Sequence, residues 1–272
     1  MKRRHFRPLR DWPLRRKLIA VFLMLVMLPI LLFSAFVAWQ THHSMSAQVE
    51  QSFSNSVYQI GMRIENQMEN YSAALRYMSM NRPFTRIFED DPESYYEQYS
   101  NITDILEPML LMIEQLTPGL EGVGVYTGNH RLKERDDSVI YLDKLAEADW
   151  YPSVEHRHRL QWFVEGQRLI GLSQLMRRSS LAPESFAYVQ IPMDDVFSVA
   201  LENIDQYAIS VETGSGECYS RGFNMETLDV SGIDDGVHPI DREPYILSRQ
   251  PIEALGWTLC ISRGASDLIY PS

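Results

Sequence analysis

Twenty-two consecutive residues without a charge, Leu18 to Trp39, constrain this chain more than any other feature. A helix of that length spans the roughly 30 Å hydrocarbon core of a bilayer. Beyond it the pattern changes. Met45, Val49, Phe53, Val57, Ile60, Ile64, Met68, Tyr71, Leu75 and Met78 recur at spacings of three and four. Such spacing puts them on one stripe of a long amphipathic helix, roughly 55 Å from end to end. Asn81-Arg82-Pro83 reads as its stop, because proline disfavours helix in the residue before it.

Charge gives the segment a direction. Residues 1–17 hold eight Lys and Arg against one Asp; residues 18–272 hold 17 basic and 35 acidic side chains, a net of −18. A basic cluster before an apolar span places the N-terminus in the cytoplasm and residues 41–272 outside the cell membrane. The acidic exterior argues against nucleic acid as a partner, since phosphates need basic contacts. A cleaved signal peptide is the alternative reading, but the apolar run is long for one and Ser34 to Gln40 offers no small-x-small site. Cys218 and Cys260 are the two cysteines. Outside the cell they can pair, closing a loop worth about 3–4 kcal/mol. Equally, they can stay as two buried thiols.

The remaining chain reads as helices followed by strands. Tyr95, Tyr99, Ile102, Leu106, Met109, Ile113 and Leu116 step by three and four, with Pro108 expected to kink or split that helix. The period then becomes two. Strands are expected at 122–127, 139–142, 160–164, 169–175 and 186–191, with a hairpin turn at Glu165-Gly166-Gln167. Short helices are expected at 145–154 and 193–203. A second group of strands follows at 207–212, 217–220, 245–250 and 256–262, with a loop over 221–243 and a helix start at 265–270. Helices then sheets make an α+β chain. The expected divisions are a basic tail (1–17), a transmembrane helix (18–40), a stalk helix (41–82), a larger membrane-distal domain (83–205), a smaller membrane-proximal domain (206–264) and an exit helix from 265.

Six side chains are candidates for contact with a ligand: Tyr126, Trp150, Tyr151, Trp162, Tyr188 and Asp194. Aromatic faces stack on rings such as sugars, and phenol hydroxyls orient polar groups. The alternative for each aromatic is a place in the core, and for Asp194 a helix cap. His156 and His158 share one strand face but lack a third ligand in sequence, so no metal or cofactor is assigned. Ser210, Ser215 and Ser220 lie outside a Gly-x-Ser-x-Gly setting, and no acid/base pair stands out, so no enzymatic activity is expected in this chain. A membrane-anchored hydrolase or a plain adhesion scaffold remain the competing classes.

The order of a basic tail, an apolar span, a stalk helix, a sheet with a Trp-Tyr pair, and a smaller sheet ending in Gly-Trp-Thr-Leu resembles the extracytoplasmic double Cache (dCache) sensor domain. It is most similar to the ectodomains of YesM-like sensor histidine kinases. The stretches that carry the likeness are Gly122 to Arg131, Asp149-Trp150-Tyr151, Tyr188 to Val196 and Leu255 to Ile261. The resemblance implies two PAS-like sheets carried on the stalk and a small-molecule ligand on the membrane-distal sheet. The stalk's apolar stripe, which suits either its own sheet or a helix of a second copy, and the resemblance together suggest a parallel homodimer, with membrane lipid around the apolar span. It also implies a parent two-component signalling protein of which this chain is the sensor half, ending before a second membrane helix. The same sensor attached to a chemotaxis transducer, a cyclic-dinucleotide enzyme or a transcription regulator is the alternative. Amino-acid-binding members of the family resemble one another in an Arg-x-Trp-Tyr pattern. Ala148 stands where that Arg would be, which argues against an amino acid; a sugar or oligosaccharide is what the resemblance to YesM-like kinases implies.

Overall fold

The computed structural model describes residues 14–90, 94–136, 138–154, 160–202, 207–213, 216–222, 234–240 and 243–264. These fall into two units, one ending at Ser52 and a compact body beginning at Phe53. In the first, Lys17–Val37 is a helical segment of 21 residues, none of its described side chains buried, long and apolar enough to cross a membrane.

Helix α1 is assigned from Leu14 to Met80. From Phe53 on, its apolar stripe is core: Val57, Ile64, Met68, Tyr71, Leu75 and Met78 are each at most 1% exposed. The stripe is therefore covered by the chain's own sheets, at about 1.5–3 kcal/mol per large side chain. Asn81 does more than stop α1. Its side chain accepts from Phe84 N at 3.2 Å and caps α2 (Arg82–Glu89), in whose first turn Pro83 sits. Phe84, Thr85, Ile87 and Phe88 are the buried face of this helix. It was not evident in the sequence, because its eight residues show barely two turns of periodicity.

Pro108 splits the next helical run as expected, and the structure shows how. Between α3 (Tyr95–Asn101) and α4 (Glu107–Leu116) lies one π-helical turn, Ile102–Leu106. A wider turn relieves the clash between a proline ring and the carbonyl four residues earlier. The expected stripe is buried only in part. Leu106, Met109 and Ile113 are core, while Tyr95, Tyr99 and Leu116 are 74%, 58% and 72% exposed.

Two five-stranded sheets follow, giving the expected α+β fold. The first has the order β2 (Val139–Tyr141), β1 (Gly122–Thr127), β5 (Ser185–Pro192), β4 (Arg168–Gln174) and β3 (Leu160–Glu165). Only the β1–β2 pair is parallel. The β3–β4 hairpin turns at Gly166, whose φ of +59° suits glycine. The second sheet is wholly antiparallel, in the order β7 (Gly216–Gly222), β6 (Ala208–Thr213), β10 (Trp257–Gly264), β9 (Glu243–Ile252) and β8 (Gly236–Ile240). β8 lies inside the stretch expected to be loop; its Gly-Val-His-Pro-Ile has a proline and little alternation, which suits an edge strand.

Two expected helices are shorter than their patterns suggested. Residues 145–154 form no continuous helix: α5 is Leu142–Leu145, and a 3-10 turn spans Tyr151–Ser153 around Pro152. The stretch after β5 breaks into α6 (Met193–Val196) and α7 (Ser198–Leu201). Cys260 is a free thiol, 1% exposed, and burial pushes its pKa up to about 11. Cys218's side chain, His156, His158 and residues 265–270 lie outside the described residues.

Candidate ligand-binding site

The two faces of the first sheet have different jobs. Strand alternation puts Trp162, Gly171, Val189 and Val123 in one cross-strand row. That row faces α1: a Cβ placed on Gly171 would stand 2.7 Å from Leu75 Cδ1 and 2.5 Å from Trp162 Cζ3. Residues one position along each strand point the other way, and they are aromatic. Tyr126 opposes Phe186, Leu172 opposes Tyr188, and Phe163 opposes Ile170.

Tyr126, Tyr188, Phe186, Ile170 and Leu172 form one apolar cluster with Leu145 and Val154, and Trp150, Tyr151, Phe163, Ile140 and Leu142 pack against it. The rings of Tyr126 and Tyr188 are 4.6 Å apart and tilted by 38°. Trp150 stacks on Phe163 at 4.6 Å and 18°, and its indole N–H donates to Glu165 Oε1 at 3.3 Å. Of these rings, Tyr126 (8%) and Tyr188 (1%) are buried in the sheet, while Trp150, Tyr151 and Phe163 are half-buried on its outer side. The inner tyrosines form a floor, and the segment from α5 to the 3-10 turn covers it. Gly122 and Gly124 share this face with Tyr126 and put no side chain beside Gln190 and Tyr188, their cross-strand partners. A layer of aromatic rings with sparse polar groups is the usual lining of a small-molecule site.

Four of the six sequence candidates thus share one face: Tyr126, Trp150, Tyr151 and Tyr188. The other two are elsewhere. Trp162 lies over Gly171 on the α1 side. Asp194 accepts a 2.6 Å hydrogen bond from Tyr219 Oη on β7 and pairs with Arg221 at 3.3 Å. Nor does it cap α6, whose N-cap is Pro192 with no side-chain bond. Phe163, not among the candidates, shares this face. Trp162 and Phe163 are adjacent, and a period of two allows only one of them on the aromatic face; the larger ring is not the one.

Hollows are found elsewhere on the body. A cleft of about 390 Å³ between α2 and α3 is lined by Arg82, Arg86, Asp90, Glu97, Gln98 and Arg178, among others. Two of its arginines are already neutralised. Arg82 holds Glu89 by two 3.0 Å bonds, and Arg86 bonds Asp90 at 2.7 Å. Among the described residues no group of His, Cys, Asp and Glu is arranged to hold a metal ion.

Comparison with known proteins supports the fold. No protein-family profile and no curated protein matches the chain. Solved structures do. The ligand-binding domain of the Campylobacter jejuni chemoreceptor Tlp3, in complex with 4-methylisoleucine, is similar over 81% of this chain and 94% of its own, with a TM-score of 0.51 at 13% identity. The ligand-binding domain of Mlp24 with asparagine is similar over 84% and 97%, with a TM-score of 0.53 at 12% identity. The extracellular domain of the putative histidine kinase rpHK1S-Z16 is similar over 82% and 98%, with a TM-score of 0.52 at 11% identity. The chain therefore shares its overall fold with these three domains.

Proposed function

We propose that this chain is the ligand-sensing region of a membrane-anchored signalling receptor, with no catalysis of its own. The observation that carries the reading is the aromatic layer on the first sheet, on the face turned away from α1. Tyr126, Tyr188, Trp150 and Tyr151 are its ligand contacts, joined by Phe163. The fold shared with chemoreceptor and kinase extracellular domains supports it. Lys17–Val37 is the anchor, with the basic tail cytoplasmic and both sheets outside, the first sheet distal and the second proximal to the membrane. A YesM-like histidine kinase is the proposed parent, on the resemblance described above.

The ligand is a small organic molecule. Stacked Trp150 and Phe163, together with alanine at 148, favour a neutral ring-bearing compound such as a sugar. The amino-acid ligands of Tlp3 and Mlp24 favour the second reading, an amino acid held without that arginine.

A homodimer is also proposed, but on different residues from the apolar stripe, which the chain's own sheets consume. Tyr58, Met62, Tyr77 and Met80 fall on one exposed side of α1, and Tyr77 lines a hollow with the exposed Met112 and Leu116 of α4. This surface is the proposed contact with a second copy.

A thermal-shift screen of the full chain in detergent, against neutral sugars and the twenty amino acids, tests the sensing role. A ligand at about 100 times its dissociation constant should add roughly 2.7 kcal/mol of stability. A hit in either class supports a small-molecule sensor and names the class. No shift with either class contradicts this reading and favours a scaffold.

A further inference from the structure

Asp194 sits at a junction between the two sheets. It lies six positions beyond Tyr188, at the point where β5, the central strand of the first sheet, runs into α6. The turn around it is tied in three directions. Met193 N donates to Gln167 O in the β3–β4 hairpin at 2.9 Å. Gln67 of α1 donates to Asp195 O at 3.1 Å and to Tyr71 Oη at 2.8 Å, and Tyr71 Oη donates in turn to Pro118 O at 3.0 Å. The third tie reaches the second sheet. Tyr219, 3% exposed on edge strand β7, donates to Asp194 Oδ1 at 2.6 Å and stacks on buried Phe197 at 5.1 Å and 25°.

We propose that Asp194 and Tyr219 form a latch that couples the first sheet's central strand to the second sheet. The strong part is the short bond from a buried phenol to a carboxylate, of the charge-assisted kind. The Arg221–Asp194 pair is half-exposed and contributes little. The phenol stays protonated throughout the physiological range, because burial and then the Asp194 bond raise its pKa above the ordinary value. A displacement of β5 by a ligand at Tyr188 is delivered at Asp194, and the latch passes it to β7 instead of losing it in a loose contact. The consequence for signalling rests on the sensing role proposed above; the latch itself does not.

Hydrogen exchange of the full chain in detergent, with no ligand added, tests it. In Asp194→Ala, amides of 208–213 and 216–222 across the junction should exchange about tenfold faster or more, the worth of one hydrogen bond to a charged group. In Tyr219→Phe, which keeps the ring stack and so the packing, amides of 193–201 should speed up similarly. The double variant should match the single variants, because both remove the same bond. Arg221→Ala should change either segment by about threefold at most, and Glu202→Ala should change neither. Effects confined to the mutated side of the junction, or additive effects in the double variant, overturn the latch. A failed ligand screen leaves this comparison untouched, so the two ideas fail separately.

Discussion

The indole of Trp162 occupies the place where a side chain on Gly171 would stand. A Cβ there would come within 2.5 Å of Trp162 Cζ3 and 2.7 Å of Leu75 Cδ1. The first sheet lies on α1 at this point only because residue 171 is glycine. Gly171→Ala should lower unfolding stability by about 1–3 kcal/mol, the usual cost of overpacking a core. Denaturant unfolding measures it, with the midpoint shifted and the slope unchanged. An unchanged midpoint would mean that the helix and sheet are not in this register.

The same pair shows what was legible in the sequence and what was not. Elements with a strong period were legible: the stripe of α1, the hairpin β3–β4, and β6, β9 and β10. The assignment of residues to faces was not, because alternation in β3 is masked. Leu160, Trp162 and Phe163 are all large and apolar, so the strand reads as a run. Only pairing with Gly171 and Ile170 shows which ring meets α1 and which meets the aromatic cluster. Short pieces also escaped, since α2, α5 and β8 offer too few residues for a period. Asp194 reads locally as a ligand contact after a strand or as the cap of the helix that follows. Its partner Tyr219 is 25 residues away in another sheet, and no local pattern reports that.

Glu65 is the tie between α1 and the second sheet. Its two carboxylate oxygens accept Glu253 N at 3.1 Å and Ala254 N at 2.9 Å in the β9–β10 turn. Glu65→Ala should cost about 1.5–3 kcal/mol, as expected for hydrogen bonds to a charged group. In hydrogen exchange, amides of 253–256 should lose protection while those of the first sheet keep it. Loss spread evenly over both sheets would count against a local role.

Acid sensitivity should be partly traceable to Glu121. Its carboxylate takes a fork from Arg168, at 2.6 and 2.5 Å, and that hydrogen bond holds its pKa below the ordinary 4.5. A depressed folded-state pKa gives stability that is present above pH 4.5 and fades as pH falls through the folded value. The group is exposed, so the effect is small. Glu121→Gln should flatten the stability profile below about pH 4.5 and leave its shape at neutral pH unaltered. A steeper acid limb in the variant would contradict the sign.

Cys260 should be inert in the folded protein. Its burial and raised pKa leave little thiolate at pH 8. Iodoacetamide followed by mass spectrometry should label it only after unfolding. Rapid labelling of the native chain would show that β10 opens easily.

The most direct test of the sensing account compares two tryptophans by calorimetric titration of the full chain with the ligand that the thermal-shift screen identifies. Trp150 stacks on Phe163 on the proposed ligand face, whereas Trp162 lies over Gly171 on the other. Trp150→Ala should weaken binding by about tenfold or more, in keeping with the loss of an aromatic contact in a buried pocket. Trp162→Ala should lower stability and leave the dissociation constant within about twofold of the parent, as expected for a half-buried side chain on the opposite face of the sheet. Equal binding by Trp150→Ala and the parent, or a loss confined to Trp162→Ala, would contradict the placement of the site.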